Sequence, residues 1–165
     1  MVPLGPRHLG AMRALLDDPD LRRFTRVPDP PPDGFAEGWL ARYEAAEGCA
    51  GFAAEDAAGA FLGLALAVAI DAEAGEIELG YIVAPEARGR GVATALLRAL
   101  TRWAFDAAAA LRVVLLIDTE NAASSRVAAR CGYVREGVMR SVHLKQGRRI
   151  DQEIWSLLPS DPASR

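Results

Sequence analysis

Apolar residues recur along the chain with two periods, and the change of period divides it. Leu9, Met12, Leu15 and Leu16 follow helical spacing within Pro6 to Asp17, and Asp17-Asp18-Pro19-Asp20 reads as the stop. A proline-rich break from Pro28 to Pro32 precedes a second helix over Asp33 to Glu47. Its N-cap is Asp33, one side carries Phe35, Trp39, Leu40 and Tyr43, and Gly48 ends it. The period then shortens. Cys49 to Glu55, Ala60 to Ile70 and Glu76 to Val83 read as strands, separated by turn signals at Asp56 to Gly59 and Asp71 to Gly75. Connections this short force antiparallel pairing, because a parallel crossover needs a dozen or more residues.

The second half alternates. Gly91 to Phe105 predicts an amphipathic helix, with Val92, Leu96, Leu100 and Trp103 as its apolar stripe and Thr94, Arg98, Thr101 and Arg102 opposite. Arg112 to Ile117 is an apolar strand, and Ala122 to Ala129 a short helix closed by Gly132. Tyr133 to Leu144 and Arg148 to Leu158 form a last hairpin turning at Gln146-Gly147, and Pro159 to Arg165 is expected to be a disordered tail. The expected fold is a mixed α/β (α+β) domain over residues 1–158, with one sheet of roughly six or seven strands and about four helices. A β-α-β unit sits at its centre.

Composition narrows the function classes. Of 165 residues, 51% are hydrophobic and 25% charged, and the net charge is −3, so no broad basic field exists for nucleic acid. The longest apolar run, Ala60 to Ile70, falls well short of the ~18–20 residues of a membrane span, and no secretory pattern opens the chain. Cys49 and Cys131 lack paired spacing, and His8 and His143 stand apart. The expectation is a cytoplasmic protein with no metal site, no nucleic-acid partner and no membrane partner. A homodimer is left open.

Chemistry concentrates between the third strand and the amphipathic helix, at Arg88-Gly89-Arg90-Gly91. A helix N-terminus offers unpaired N–H groups and a positive dipole end. Glycines let a phosphate approach that backbone, and Arg88 and Arg90 add donors for phosphate oxygens. The same residues also fit a tight turn with solvated arginines. A P-loop is excluded because no Gly-Lys pair exists, and a Rossmann fingerprint because Thr94 stands where it requires Gly or Ala.

The run from Gly80 to Ala93 resembles motif A of the GNAT superfamily of N-acetyltransferases, its core matched by Arg88, Gly91 and Ala93. Asn121 to Val127 and Cys131 to Gly137 resemble motif B of the branch that acetylates ribosomal-protein N-termini, and Gly147 to Leu158 is similar to that branch too. The resemblance implies a splay between the fourth and fifth strands, ending at Val83 and starting at Arg112, in which acetyl-CoA lies. It places the diphosphate on backbone N–H groups of Arg88, Gly89, Arg90, Gly91, Val92, Ala93 and Thr94, and pairs the pantetheine amides with Ile82 and Val83. The Val83 N–H becomes the oxyanion donor. Ser124 is implied as the acid, Asn121 positions pantetheine or substrate, and Arg126 adds a phosphate contact.

Direct transfer needs a neutral amine, and Glu78 is the candidate base, with Glu76 as its alternative nearer the turn. Freeing an α-amine of its proton at pH 7 costs about 1 kcal/mol, against roughly 4.6 for a lysine amine. That difference favours an α-amine or a small activated amine, and the resemblance to the ribosomal branch implies a protein N-terminal α-amine as the favoured acceptor. The alternatives are a small amine (aminoglycoside, polyamine or amino acid) and a non-catalytic acyl-CoA-binding module. The acceptor site is expected from Arg22, Arg23, Phe24, Trp39, Tyr43 and His143, with Val27 to Pro32 as a rim.

Overall fold

In the computed structural model, which describes residues 1–45 and 48–162, a short strand β1 (Val2–Pro3) and a 3-10 turn (Pro6–His8) open the chain. Three helices follow: α1 (Leu9–Leu15), α2 (Pro19–Phe24) and α3 (Phe35–Ala45). The meander is β2 (Ala50–Glu55), β3 (Phe61–Asp71) and β4 (Glu76–Val83). Then come α4 (Val92–Asp106), β5 (Arg112–Asp118), α5 (Ala122–Arg130), β6 (Val134–Lys145) and β7 (Arg148–Leu157). The seven strands form one sheet in the order β1-β2-β3-β4-β5-β7-β6, antiparallel except for the β4–β5 pair.

The alternation of each strand sends its side chains to two cores. Ile77 and Leu79 of β4, with Ala65 and Ala67 of β3, pack against Leu96, Leu97 and Leu100 of α4. The small alanines let α4 lie close to the sheet. On the other face Leu64 and Leu66 meet Met12 and Leu15 of α1 and Leu40 and Tyr43 of α3. Burying each such Leu or Met contributes about 1.5–3 kcal/mol. The sheet is thus covered on both sides, which holds β4 and β5 rigidly where they part.

Three features depart from expectation. Asp17 to Asp20 does not simply end a helix: the Asp18 carboxylate accepts the Asp20 N–H at 3.2 Å and Pro19 takes the first helical position, so the same residues start α2. Thr101 is buried rather than on the polar face, because its hydroxyl donates to the Leu97 carbonyl at 2.8 Å and meets the Tyr133 hydroxyl at 2.7 Å. Within the expected tail, the Leu158 N–H donates to the Asp161 carboxylate at 2.9 Å, closing a turn. Glu47, the expected end of the second helix, and residues 163–165 lie outside the described residues.

Candidate active site

The parallel β4–β5 ladder is short. It joins Glu76 to Arg112, Ile77 to Val113 and Glu78 to Val114, and pairing stops there. The antiparallel ladder to β3 fixes which peptide groups face the resulting splay. The Ala84 N–H donates to the Leu62 carbonyl at 2.9 Å, so the Val83–Gly63 pair between them is a non-hydrogen-bonded one. By alternation Leu79, Tyr81 and Val83 turn their peptide groups toward β5, and Gly80 and Ile82 turn theirs toward β3. The Ile82 carbonyl lies against Gly63, where a Cβ would meet it at 2.1 Å. The expectation that Ile82 faces the splay is therefore corrected: its peptide group is turned to β3, the Leu79 N–H belongs to the last rung of the β5 ladder, and the open edge is left to the Leu79 carbonyl and to the peptide groups of Tyr81 and Val83.

Beyond Val83 a 3-10 turn (Pro85–Ala87) leads into the loop. Gly89 and Gly91 adopt φ of 74° and 80°, and Gly91 caps α4 without a side chain. The first intrahelical bond there runs from the Ala95 N–H to the Gly91 carbonyl at 3.1 Å, which leaves the N–H groups of Val92, Ala93 and Thr94 without an intrahelical acceptor. A Cβ at Gly89 or Gly91 would meet nothing within 4 Å, so the space in front of the helix is open. This geometry fits a diphosphate.

The two loop arginines behave differently from expectation. The Arg88 guanidinium is held by Asp18 and by Asp20 at 3.1 Å, and its Nε donates to the Val83 carbonyl at 3.3 Å. The Arg88 N–H donates to the Pro85 carbonyl at 3.3 Å. Arg88 thus ties the loop to α2, where the carboxylates out-compete a position facing the helix end. Arg90 is exposed and outside the cavity wall, as is Arg126, whereas Arg130, one helical turn beyond Arg126, lines the wall.

A cavity of about 750 Å³ fills the splay and continues under the loop after α2. Glu78 lines it, with Arg26 at 3.2 Å from its carboxylate. Glu76 does not: it pairs with Arg112 at 2.7 Å, at the closed end of the ladder. Ser124 and Asn121 both line the wall, and the Asn121 side chain accepts the Ser124 N–H at 3.1 Å as the cap of α5. Tyr81, unassigned from sequence, donates its hydroxyl to the Ser124 Oγ at 3.2 Å. Burial pushes the Tyr81 phenol up to about 12, against a smaller opposing effect of the Ser124 hydrogen bond.

The far end of the cavity is built from three elements. Trp39, Arg42 and Tyr43 come from α3, and Phe24 to Val27 from the loop after α2. A bulge in β6 between Met139 and His143 supplies the third. Ser141 sits there at φ 57°, its N–H donating to Asp151 at 2.7 Å and its carbonyl accepting from Arg149 at 2.9 Å. The extra residues bring His143 and Lys145 onto the cavity wall. Burial lowers the His143 pKa, with the positive charges of Arg26 and Lys145 adding to it. The Lys145 ammonium donates to the Thr25 carbonyl, and Gln146 donates to Asp29 at 2.6 Å, so the hairpin tip clasps the loop and roofs this end. Of the expected acceptor residues, Arg23, Phe24, Trp39, Tyr43 and His143 line the cavity and Arg22 does not.

Among the described residues no group of three or more His, Cys, Asp or Glu could hold a metal ion, and no helix is long and apolar enough to cross a membrane. A profile of the acetyltransferase (GNAT) domain matches residues 1–134. YoaA, an uncharacterized N-acetyltransferase of Bacillus subtilis (strain 168), is 28% identical over 81 residues, 49% of this chain and 46% of that protein. YdaF of the same organism, provisionally named a ribosomal N-acetyltransferase, is 35% identical over 81 residues, 49% of this chain and 44% of its own length. The chain spans about half the length of the curated relatives it matches. In fold it is similar to spermidine N-acetyltransferase from Vibrio cholerae, whose crystal structure holds CoA and spermine: the TM-score is 0.86 at 22% identity, covering 96% of this chain and 94% of that one.

Proposed function

The chain belongs to the GNAT acetyltransferase family, and from that premise we propose that it transfers the acetyl group of acetyl-CoA to the primary amine of a small molecule. Acetyl-CoA supplies a thioester, in which a C–N bond to the amine replaces the C–S bond and CoA departs as the thiol.

The protein's own groups divide the work. The N–H groups of Val92, Ala93 and Thr94 receive the diphosphate, with the dipole of α4 behind them. The Tyr81 peptide group and the Leu79 carbonyl hold the extended amide chain as an added strand. The Val83 N–H, fixed by the β3 ladder, donates to the oxyanion that develops on the thioester carbonyl. Glu78 takes the proton from the attacking ammonium, directly or through water. Tyr81 stays protonated throughout the working range and returns a proton toward the departing sulfur, alone or through the Ser124 hydroxyl. The observation that carries this reading is the splay: the peptide groups of Tyr81 and Val83 turned to an open edge, leading into a helix N-terminus with no side-chain cap.

The acceptor end favours a small acceptor over a protein N-terminus, because the contacts of Lys145 with Thr25 and of Gln146 with Asp29 tie the hairpin tip across to the loop where a peptide would need a free groove. The fold neighbour that holds CoA and spermine acts on a small amine. YdaF keeps a second reading in play, transfer to a ribosomal-protein α-amine. A thiol-release assay with acetyl-CoA over N-terminal peptides, aminoglycosides, polyamines and amino acids separates the two. Small amines are expected to give the higher kcat/KM, and a peptide exceeding all of them overturns the choice.

A further inference from the structure

We infer that the acceptor carries an anionic oxyacid group, a carboxylate or phosphate, close to its amine, and that Arg42 and Arg26 receive it. This rests on the acetyl-transfer reading above and names its substrate class. The chain as a whole is acidic, with net charge −3, yet the acceptor end reverses that sign. On the cavity wall there, Arg26, Arg42 and Lys145 stand against Glu78 and Asp118, with Asp29 near Lys145 but off the wall, and His143 is held toward its neutral form by burial.

The partners of these groups decide which of them can take a ligand. Asp118 is buried and accepts the Glu120 N–H at 2.8 Å. Lys145 is spent on the Thr25 carbonyl. Arg42 donates once, to the Val68 carbonyl at 3.0 Å, and lies over the Tyr43 ring at 5.6 Å. Among the described residues no carboxylate pairs with it. A guanidinium has five N–H donors in a fork that matches a planar or tetrahedral oxyanion. At the opposite end of the cavity Arg88 has already found its carboxylates, Asp18 and Asp20. Among the described residues Arg42 and Arg130 line the cavity without a carboxylate, and Arg42 is the one beside Trp39 and Tyr43 at the acceptor end.

Arg26 adds a reason why such an acceptor suits this site. It sits on the Glu78 carboxylate, at 3.2 Å, where the incoming ammonium must also go. An acceptor that brings its own anion satisfies Arg26 and Arg42 together and leaves Glu78 facing the amine. A polyamine instead brings further positive charge against two arginines, a mismatch that works against binding.

Matched acceptors test this with the full chain and acetyl-CoA: β-alanine against propylamine, phosphoethanolamine against ethanolamine, alanine against its methyl ester, and spermidine. The carboxylate and phosphate arms tell the two oxyacids apart. The anionic member of at least one pair is expected to exceed its partner by roughly tenfold or more in kcat/KM, the scale of a hydrogen bond to a charged group. Arg42→Gln is expected to reduce that preference to about threefold or less, and Arg42→Lys to keep part of it, with acetyl-CoA affinity by calorimetry unchanged in both. Neutral amines or spermidine turning over best, or an unchanged preference in Arg42→Gln, overturns the inference while leaving acetyl transfer intact. Acetyl-CoA bound with no anionic amine consumed overturns it too. Failure to bind acetyl-CoA removes the function itself.

Discussion

Replacing Gly91 separates backbone strain from charge at the loop. Gly91 caps α4 at φ 80°, and a Cβ there meets nothing within 4 Å. The steric cost is therefore conformational, about 1–2 kcal/mol for an L-residue in the left-handed region, and Gly91→Ala reports it alone. A glutamate at the same position recovers about 0.3–1 kcal/mol from the helix dipole. Both variants should therefore fold, with melting temperatures lowered by about 2–4 °C per kcal/mol lost in a chain of this size. Binding separates them. A carboxylate some ~5 Å from a phosphate, at an effective dielectric of about 20, costs about 3 kcal/mol for each phosphate charge. That is roughly a hundredfold in affinity per charge. Calorimetric titration of acetyl-CoA should find Gly91→Ala within about tenfold of the parent and Gly91→Glu weaker by at least about 10²-fold. Affinity of Gly91→Glu within threefold of the parent refutes the diphosphate assignment.

Three further perturbations probe the other parts. Glu78→Gln should lower kcat by roughly 10²–10⁴-fold, the range of general base catalysis, while acetyl-CoA binds as before in calorimetry. Tyr81→Phe should lower kcat, but because burial raises this phenol to about 12, the parent should show no loss of rate from its ionisation below about pH 10. The Glu136 carboxyl is pulled down to about 2 by hydrogen bonds from Arg112 and Ser156. A depressed carboxyl stabilises the fold above its unfolded pKa of about 4.5 and loses that contribution as pH falls toward 2, so acid titration of stability should be shallower in Glu136→Gln than in the parent.

Much of this was legible because short connections leave few choices. The turns at Asp56 to Gly59 and Asp71 to Gly75 dictate the meander, and the Gly91 to Phe105 stripe fixes α4 and hence the crossover to β5. What stayed hidden needed three dimensions. Asp18-Pro19 can stop one helix or start another, and only the Asp18 cap on the Asp20 N–H, with Arg88 holding that carboxylate, shows that α2 begins there. Ladder parity, which turns Ile82 toward β3 and leaves Tyr81 and Val83 facing the splay, depends on register across β3. Tyr81 carries no sequence signal for a role, because its ring packs against the core and only its hydroxyl reaches Ser124. Arg26 and Arg42 come from a loop and a helix and line one cavity with Glu78 only in the folded chain. The β6 bulge that delivers His143 shows in the pairing with β7 and not in the pattern of residues.

Amine-dependent release of CoA thiol, with the product identified by mass spectrometry, tests acetyl transfer most directly. The account predicts release that requires both acetyl-CoA and a small amine, an N-acetylated product, and loss of the signal in Gly91→Glu. Acetyl-CoA bound tightly, yet with no release above the amine-free rate for any amine class, contradicts it and makes the splay a binding site without chemistry.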